Sequence, residues 1–271
     1  MTTTVYERCA ELISAADGLL ITAGAGIGVD SGLPDFRGPQ GFWGAYPALG
    51  RARIAFEQIA NPAAFTERPR LAWGFYGHRL KLYRQTVPHE GFAILRQIGE
   101  RLPHGACVFT SNVDGQFQRA GFAAERISEC HGSIHHLQCL DGCDDSIWSA
   151  DEFQPELDEE ACLLRSEFPL CPRCGSIARP NILMFGDWGW HSERSDVQQA
   201  RLHAWLRQVG QPLVIEVGAG TRIPTVRLLG ERSKGQLIRI NPGEPQLPLG
   251  KGVSIAAGSL LALRSIAACL V

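Results

Sequence analysis

The sequence predicts an α/β fold: an open parallel sheet with a smaller lobe inserted into it. Three observations carry that reading. The apolar run Leu19 to Thr22 breaks into Gly24-Ala25-Gly26-Ile27-Gly28, and a buried strand ending in a glycine turn is the usual start of a nucleotide-binding α/β unit. Three further strand-length runs, Ala106 to Thr110, Leu213 to Val217 and Leu237 to Ile240, each end in polar or glycine-rich residues. Finally, about seventy residues separate the first two strands, too many for a simple crossover, and a later stretch holds paired cysteines.

The elements follow in order. Val5, Cys9, Leu12, Ile13 and Ala16 recur at helical spacing, giving a first amphipathic helix. The first interruption is rich in aromatics and reads as helical around Phe65 to Gln85 and Glu90 to Arg101. The second, roughly 136–180, holds the cysteine pairs and an acidic segment, Asp141 to Glu160, read as a solvated loop. The expected organisation is a Rossmann-like domain from residues 1–37, 104–135 and 181–271, a helical insertion over 38–103, and a metal-binding insertion over 136–180. Ligands of an open parallel sheet bind beyond the carboxyl ends of its strands. The endings Ser111-Asn112, Gly218-Ala219-Gly220-Thr221 and Asn241-Pro242-Gly243 therefore join the glycine turn in one long cleft.

Composition narrows the function classes. The 271 residues are 45% hydrophobic and 20% charged, which excludes a disordered chain. A net charge of −2 gives no global attraction to nucleic acid or anionic membrane, and neither is expected as a partner. No apolar stretch is long enough to span a bilayer, and the N-terminal residues carry Glu7, Arg8 and Glu11, unlike a signal peptide. The expected compartment is the cytoplasm. Nine cysteines cannot all pair, and in a reducing compartment clustered ones point to metal.

Four motifs carry chemistry. After the glycine turn come Asp35, Phe36 and Arg37, directly behind Pro34; glycines admit a pyrophosphate to the backbone, and the three side chains sit where the far end of such a ligand would lie. Thr110-Ser111-Asn112-Val113-Asp114 places an amide and a carboxylate at i and i+2 on a strand end, where both can face a carboxamide or cap the next helix. His131, followed by Gly132, is the candidate general base. Cys139-x3-Cys143 and Cys171-x2-Cys174 give four thiolates, a closed tetrahedral structural zinc site, with Cys162 or His136 as possible substitutes for one ligand.

Together these motifs resemble the sirtuin family, over nearly the whole chain. Gly24 to Gly38, including Ala25 and Gly26, resembles its opening NAD motif and Thr110 to Asp114 its second; His131-Gly132 resembles its catalytic histidine, and the cysteine pairs its zinc module. Arg179 to Asp187, with Leu183, Phe185 and Gly186, resembles the segment that pairs with peptide substrate. Gly218 to Thr221, Asn241 and Ala257 resemble the remaining cofactor contacts. The resemblance implies NAD as co-substrate, structural zinc, and an acyl-lysine protein or peptide as substrate. It also implies a reaction: the acyl oxygen attacks the ribose carbon bearing nicotinamide, and His131 then activates a ribose hydroxyl against the resulting imidate. Water releases lysine and O-acyl-ADP-ribose. Phe36 would shield the nicotinamide pocket from water.

The chain departs from the family pattern at Gly28 (usually Ser), Ser111 (usually Gln), Phe117 (usually His), Ala219-Gly220 (usually Thr-Ser) and Asp187 (usually Glu). Tyr76 and Arg79, three apart in a helix, share a face and resemble the pair that receives acidic acyl groups in some sirtuins. That implies a preference for succinyl or malonyl over acetyl, against the plainer reading of a core tyrosine beside a surface arginine. Alternatives for the whole protein are NAD hydrolysis or ADP-ribose transfer on the same scaffold, and a non-catalytic NAD or acyl-peptide binding module.

Overall fold

The computed structural model describes residues 4–34 and 38–270. Its centre is a six-stranded parallel sheet, built from β1 (Gly18–Ala23), β2 (Ala106–Thr110), β3 (Ile127–Glu129), β9 (Pro212–Val217), β10 (Leu237–Ile240) and β11 (Gly252–Ile255). Their order is β11-β10-β9-β1-β2-β3, every pairing parallel. Chain direction across the sheet reverses between β1 and β9, the crevice where ligands of such sheets bind.

Both faces are covered. All of β1 is buried, as a strand sandwiched between helices must be. Leu19 and Ile21 pack with α1 (Val5–Ser14), α7 (Glu90–Glu100) and α11 (Ser259–Ala267), whereas Leu20 faces α9 (Glu193–Leu206) and α10 (Thr225–Arg232) through Leu202, Trp205 and Val226. Each such aliphatic side chain contributes about 1.5–3 kcal/mol through burial. Strand β3 is only three residues long and β11 is mostly unburied, so neither leaves the buried apolar run by which β10 is recognised.

The lobe has its own core. Short helices α2 (Gly38–Ala45), α3 (Pro47–Arg51), α4 (Phe56–Ile59) and α5 (Pro62–Glu67) lead into the long α6 (Pro69–Gln85). The stretch Phe65 to Gln85, expected as one helix, breaks at Arg68, because Pro69 supplies no backbone N–H and starts a new helix. Strands β4 (Gly132–Cys139), β5 (Ile147–Ser149) and β8 (Ala178–Ile182) form an antiparallel sheet in the order β5-β4-β8, and β6 (Leu157–Asp158) pairs with β7 (Leu163–Leu164). Phe42, Tyr46, Phe65, Trp73, Phe75 and Tyr76 meet Ile134, Leu137 and Ala178 in one aromatic-rich cluster.

Two expected boundaries read differently in three dimensions. Helix α7 lies within 38–103, yet Phe92, Leu95 and Ile98 join the core of the large sheet. Strands β4 and β8 reach across residues 135 and 180, because their pairing runs from Gly132↔Ile182 to Cys139↔Ala178. Periodicity identifies a helix or a strand but not what its buried face meets.

Candidate active site

A cavity of about 470 Å³ opens at the carboxyl ends of β1, β2 and β9, between the sheet and the lobe. Ala25, Gly26, Ser111, Asn112, Asp114, His131 and Gly218 line it from the sheet side. Tyr76, Arg79, Leu183 and Phe185 line it as well, so most of the predicted site residues meet in one place. Asp35, Phe36 and Arg37 lie outside the described residues.

The sheet side is shaped by close backbone approach. Gly24 N–H donates to the Val217 carbonyl and Gly26 N–H to the Gly218 carbonyl, each at 3.0 Å, which ties the β1 and β9 loops across the crevice. At Gly218, with φ +64°, a Cβ would stand 2.3 Å from the backbone nitrogen of Ile27. Only glycine permits that contact, and the resulting small-residue cradle fits the pyrophosphate of a dinucleotide. Asp30 braces the same turn from behind, accepting from the Leu260 N–H at 2.8 Å and the Ser259 hydroxyl at 2.6 Å.

Asn112 and Asp114 are both buried. The Asn112 amide donates to the Gly24 carbonyl at 3.1 Å, and Asp114 Oδ1 accepts the Gln116 N–H at 2.9 Å. Asp114 therefore braces the turn that enters the short helix α8 (Gln116–Arg119), whose cap is Gly115 at φ +70°, while also lining the cavity. Burial drives its pKa up to about 6, opposed by the Gln116 N–H; the Glu129 charge raises it further and Arg79 lowers it.

His131 stands between β3 and β4, held by its carbonyl, which accepts the Leu183 N–H at 3.0 Å. Gly132 makes the turn at φ +76°, where a Cβ would lie 2.1 Å from the Asn181 carbonyl oxygen. Burial lowers the His131 pKa, with a hydrogen bond to the Ser111 backbone acting in the opposite direction. The imidazole is thus neutral near pH 7, the form a general base needs.

On the lobe side, Tyr76 and Arg79 do share a face of α6, and both are buried. Arg79 Nε donates to the Tyr83 hydroxyl at 2.9 Å, and its guanidinium lies 5.3–5.7 Å from the ring centroids of Phe75, Tyr76 and Tyr83. The reading of Arg79 as a surface residue is thereby excluded. Leu183, Phe185 and Gly186 sit on a turn fixed by a buried ion pair: Arg179 grips both oxygens of Asp187 at 2.7 and 2.9 Å. Asp187 also accepts the Met184 and Gly189 N–H groups. One methylene less than glutamate suffices to organise the turn.

Other expected contacts fall beside the cavity. Thr221 is exposed and engages Glu244; Asn241 is fully buried, its amide donating to Ala219 and its carbonyl accepting from Gly243 and Glu244. Ala257 packs against the sheet core, and Gly186 is absent from the cavity lining. Phe117, where a histidine was anticipated, is core: its ring lies 5.0 Å from Phe92 and 5.3 Å from Phe122. The sequence reading missed Phe56, Glu57, Tyr83 and Arg222, which line the cavity, with Arg222 paired to Glu57 across its mouth. Tyr83 alone left a signal, being i+4 from Arg79 and i+7 from Tyr76.

At the far end of the lobe the Sγ atoms of Cys139, Cys143, Cys171 and Cys174 all lie within 4.8 Å of one another. Cys139–Cys174 and Cys143–Cys171 are each 3.6 Å apart, close to the roughly 3.8 Å edge of a tetrahedral zinc tetrathiolate. The donor set fits zinc and is closed. Cys162 is buried in the lobe core, and His136 lines a different recess, so neither replaces a ligand.

A doubly wound sheet with a glycine cradle, a neutral histidine at its crevice and a closed thiolate cluster in the lobe defines an NAD-using enzyme with structural zinc. The chain belongs to the Sir2 family, whose profile matches residues 24–209. It is similar to the NAD-dependent protein deacylase of Pyrococcus furiosus, 36% identical over 164 residues, which is 60% of this chain and 59% of that protein. The NAD-dependent protein deacylase of Aquifex aeolicus is 28% identical over 228 residues, 83% of this chain and 84% of that protein. A Sir2 homologue solved in complex with NAD superposes with a TM-score of 0.72 at 25% identity, covering 98% of this chain and 95% of that one. No helix among the described residues is long and apolar enough to cross a membrane.

Proposed function

We propose that the protein is an NAD-dependent lysine deacylase whose lobe-side pocket selects acyl groups ending in a carboxylate. NAD, when bound, supplies the electrophilic ribose carbon, the nicotinamide leaving group and the hydroxyl that accepts the acyl group. The chain's own residues do the rest. The Gly24 to Gly26 and Gly218 loops receive the pyrophosphate, and Asn112 and Asp114 face the carboxamide. His131 takes a proton from a ribose hydroxyl, and Leu183 and Phe185 flank the incoming peptide. The apolar side chains of Leu183, Met184 and Phe185, which line the cavity with His131, support deacylation over simple NAD hydrolysis, because a bound acyl-lysine packed against them would keep water from the intermediate.

The observation that carries the acyl reading is Arg79, a guanidinium buried in the cavity wall with the hydroxyls of Tyr76 and Tyr83 on the same helix face. A terminal carboxylate is costly to desolvate unless a partner meets it, and arginine does so with two parallel hydrogen bonds. The test is turnover of succinyl-, malonyl- and acetyl-lysine peptides by wild type and Arg79→Met. The acidic substrates should lead in wild type and lose about 2–5 kcal/mol of transition-state stabilisation in the variant, with the acetyl reaction little changed. An acetyl preference in wild type that Arg79→Met leaves unmoved would assign the arginine to structure.

A further inference from the structure

A second recess, of about 720 Å³, lies on the other side of the Asp114 turn and shares no lining residue with the NAD cavity. Helices α8 and α9 and strand β4 surround it, and the zinc lobe contributes Asp151. Its walls carry Arg84, Arg119, Arg194 and Arg201, with His135 and His136 from β4, while Asp151 is the only carboxylate lining it among the described residues. Glu129, just behind, is engaged by Arg194 at 2.5 Å and by the Gln198 amide at 3.3 Å, so it neutralises one arginine of the four. The excess of positive charge is local, since the chain as a whole is slightly acidic.

The arginines that line the recess differ in how far their donors are already engaged. Arg84 is otherwise committed, to the Phe153 and Ala150 carbonyls at 2.7 Å each, and Arg119 spends its Nε on the Thr86 carbonyl. Their remaining charge still faces the recess, and Arg201 is exposed at its rim.

We infer that this recess is a binding site for a small phosphorylated molecule, distinct from the NAD cleft. Guanidinium groups converging from three elements suit a phosphate, whose oxygens accept from several donors at once. A concave pocket with few carboxylates favours a compact anion over a nucleic acid, which would need an extended basic stripe. The recess adjoins the active site at one point, where His135 Nε2 lies 3.0 Å from the Asp114 carbonyl oxygen.

The test is calorimetric titration of zinc-loaded protein with inorganic pyrophosphate at constant ionic strength, with saturating ADP-ribose filling the NAD cleft. One saturable site is expected, and Arg119→Gln with Arg201→Gln, both exposed positions, should weaken it at least about 10-fold while leaving ADP-ribose affinity unchanged. Ribose 5-phosphate titrated separately distinguishes a phosphomonoester site from a diphosphate site, and saturable binding of either supports the inference. Absence of saturable binding by both, an unaltered affinity in the double variant, or equal binding of citrate would overturn it.

Discussion

The two walls of the active-site cleft are built on opposite plans. The sheet wall is small and backbone-rich: Ala25, Gly26, Ser111 and Gly218 leave room for a ligand to touch main chain, and its ionisable side chains are His131 and Asp114. The lobe wall is bulky: Phe56, Tyr76 and Tyr83 line it, and the rings of Tyr76 and Tyr83 flank the buried cation Arg79. A dinucleotide is held largely by peptide N–H groups, which tolerate few side chains. An acyl group has no such handle and must be met by side chains. The sheet wall should therefore govern whether any substrate turns over, and the lobe wall which one does.

The largest expected effect falls on the folding of the lobe that carries the second wall. The lobe core rests on β4 and β8, and both lead into the thiolate cluster, where Cys139 ends β4. Structural zinc in small modules contributes roughly 10–16 kcal/mol to folding. Purified protein should contain about one zinc per chain, and Cys171→Ser should give a protein with early thermal unfolding and no selective catalytic defect. A metal-free preparation that melts normally would break the assignment.

Next comes the sheet wall. His131→Ala should remain folded and lose about 10²–10⁴-fold in turnover, by the same factor for acetyl, succinyl and malonyl substrates. That uniformity is the contrast with Arg79→Met, which should change the ratio between substrates. A His131 variant that discriminated among acyl groups would blur the distinction between the walls. Near-normal turnover would remove the histidine from the chemistry.

The same contrast explains what was legible in the sequence. The sheet wall is encoded locally: apolar runs ending in glycine or polar residues mark strand ends, and strand ends mark the crevice, so Gly24 to Gly26, Ser111 to Asp114 and Gly218 are legible in the sequence, whereas His131, behind the short β3, is picked out by Gly132 beside it and by its place before the cysteine pairs. The lobe wall is assembled from distant segments. Tyr76 and Arg79 were visible through helical spacing, but Phe56, Glu57 and Arg222 reach the cavity only through packing that no local pattern records. Thr221, Asn241 and Ala257 show the reverse limit. The motifs of Thr221 and Asn241 read as strand-end turns, and Ala257 enters only through the family resemblance, yet the turns consume Asn241 internally and leave Thr221 outside. Phe117 is a departure whose meaning depends on depth: it joins the sheet core, so it is a packing residue and not a missing catalytic one. The α7 helix was identified by its period, whereas its partner, the sheet, was decided by topology.

The smallest effect concerns stability, and it falls on a residue that serves the sheet wall at a cost to the fold. Asp114 is buried with a pKa of about 6, against an ordinary 3.8. Below pH 3.8 the folded and unfolded chains both hold the proton. Between there and pH 6 only the folded chain holds it, so the carboxyl's contribution to stability declines as pH rises, and the whole cost is present above pH 6. The two-unit shift corresponds to about 3 kcal/mol. Asp114→Asn keeps an oxygen for the Gln116 N–H and has no charge to desolvate. It should therefore be more stable than wild type at pH 7.5 by an amount up to that size, and the advantage should shrink toward zero near pH 4. Its deacylation should fall for every acyl substrate, since the change is on the sheet wall. Thermal melts of both proteins across pH 4 to 8 decide the matter. A variant less stable than wild type at pH 7.5, or a stability gap that does not vary with pH, would show that Asp114 is held by its partners and not strained by its burial.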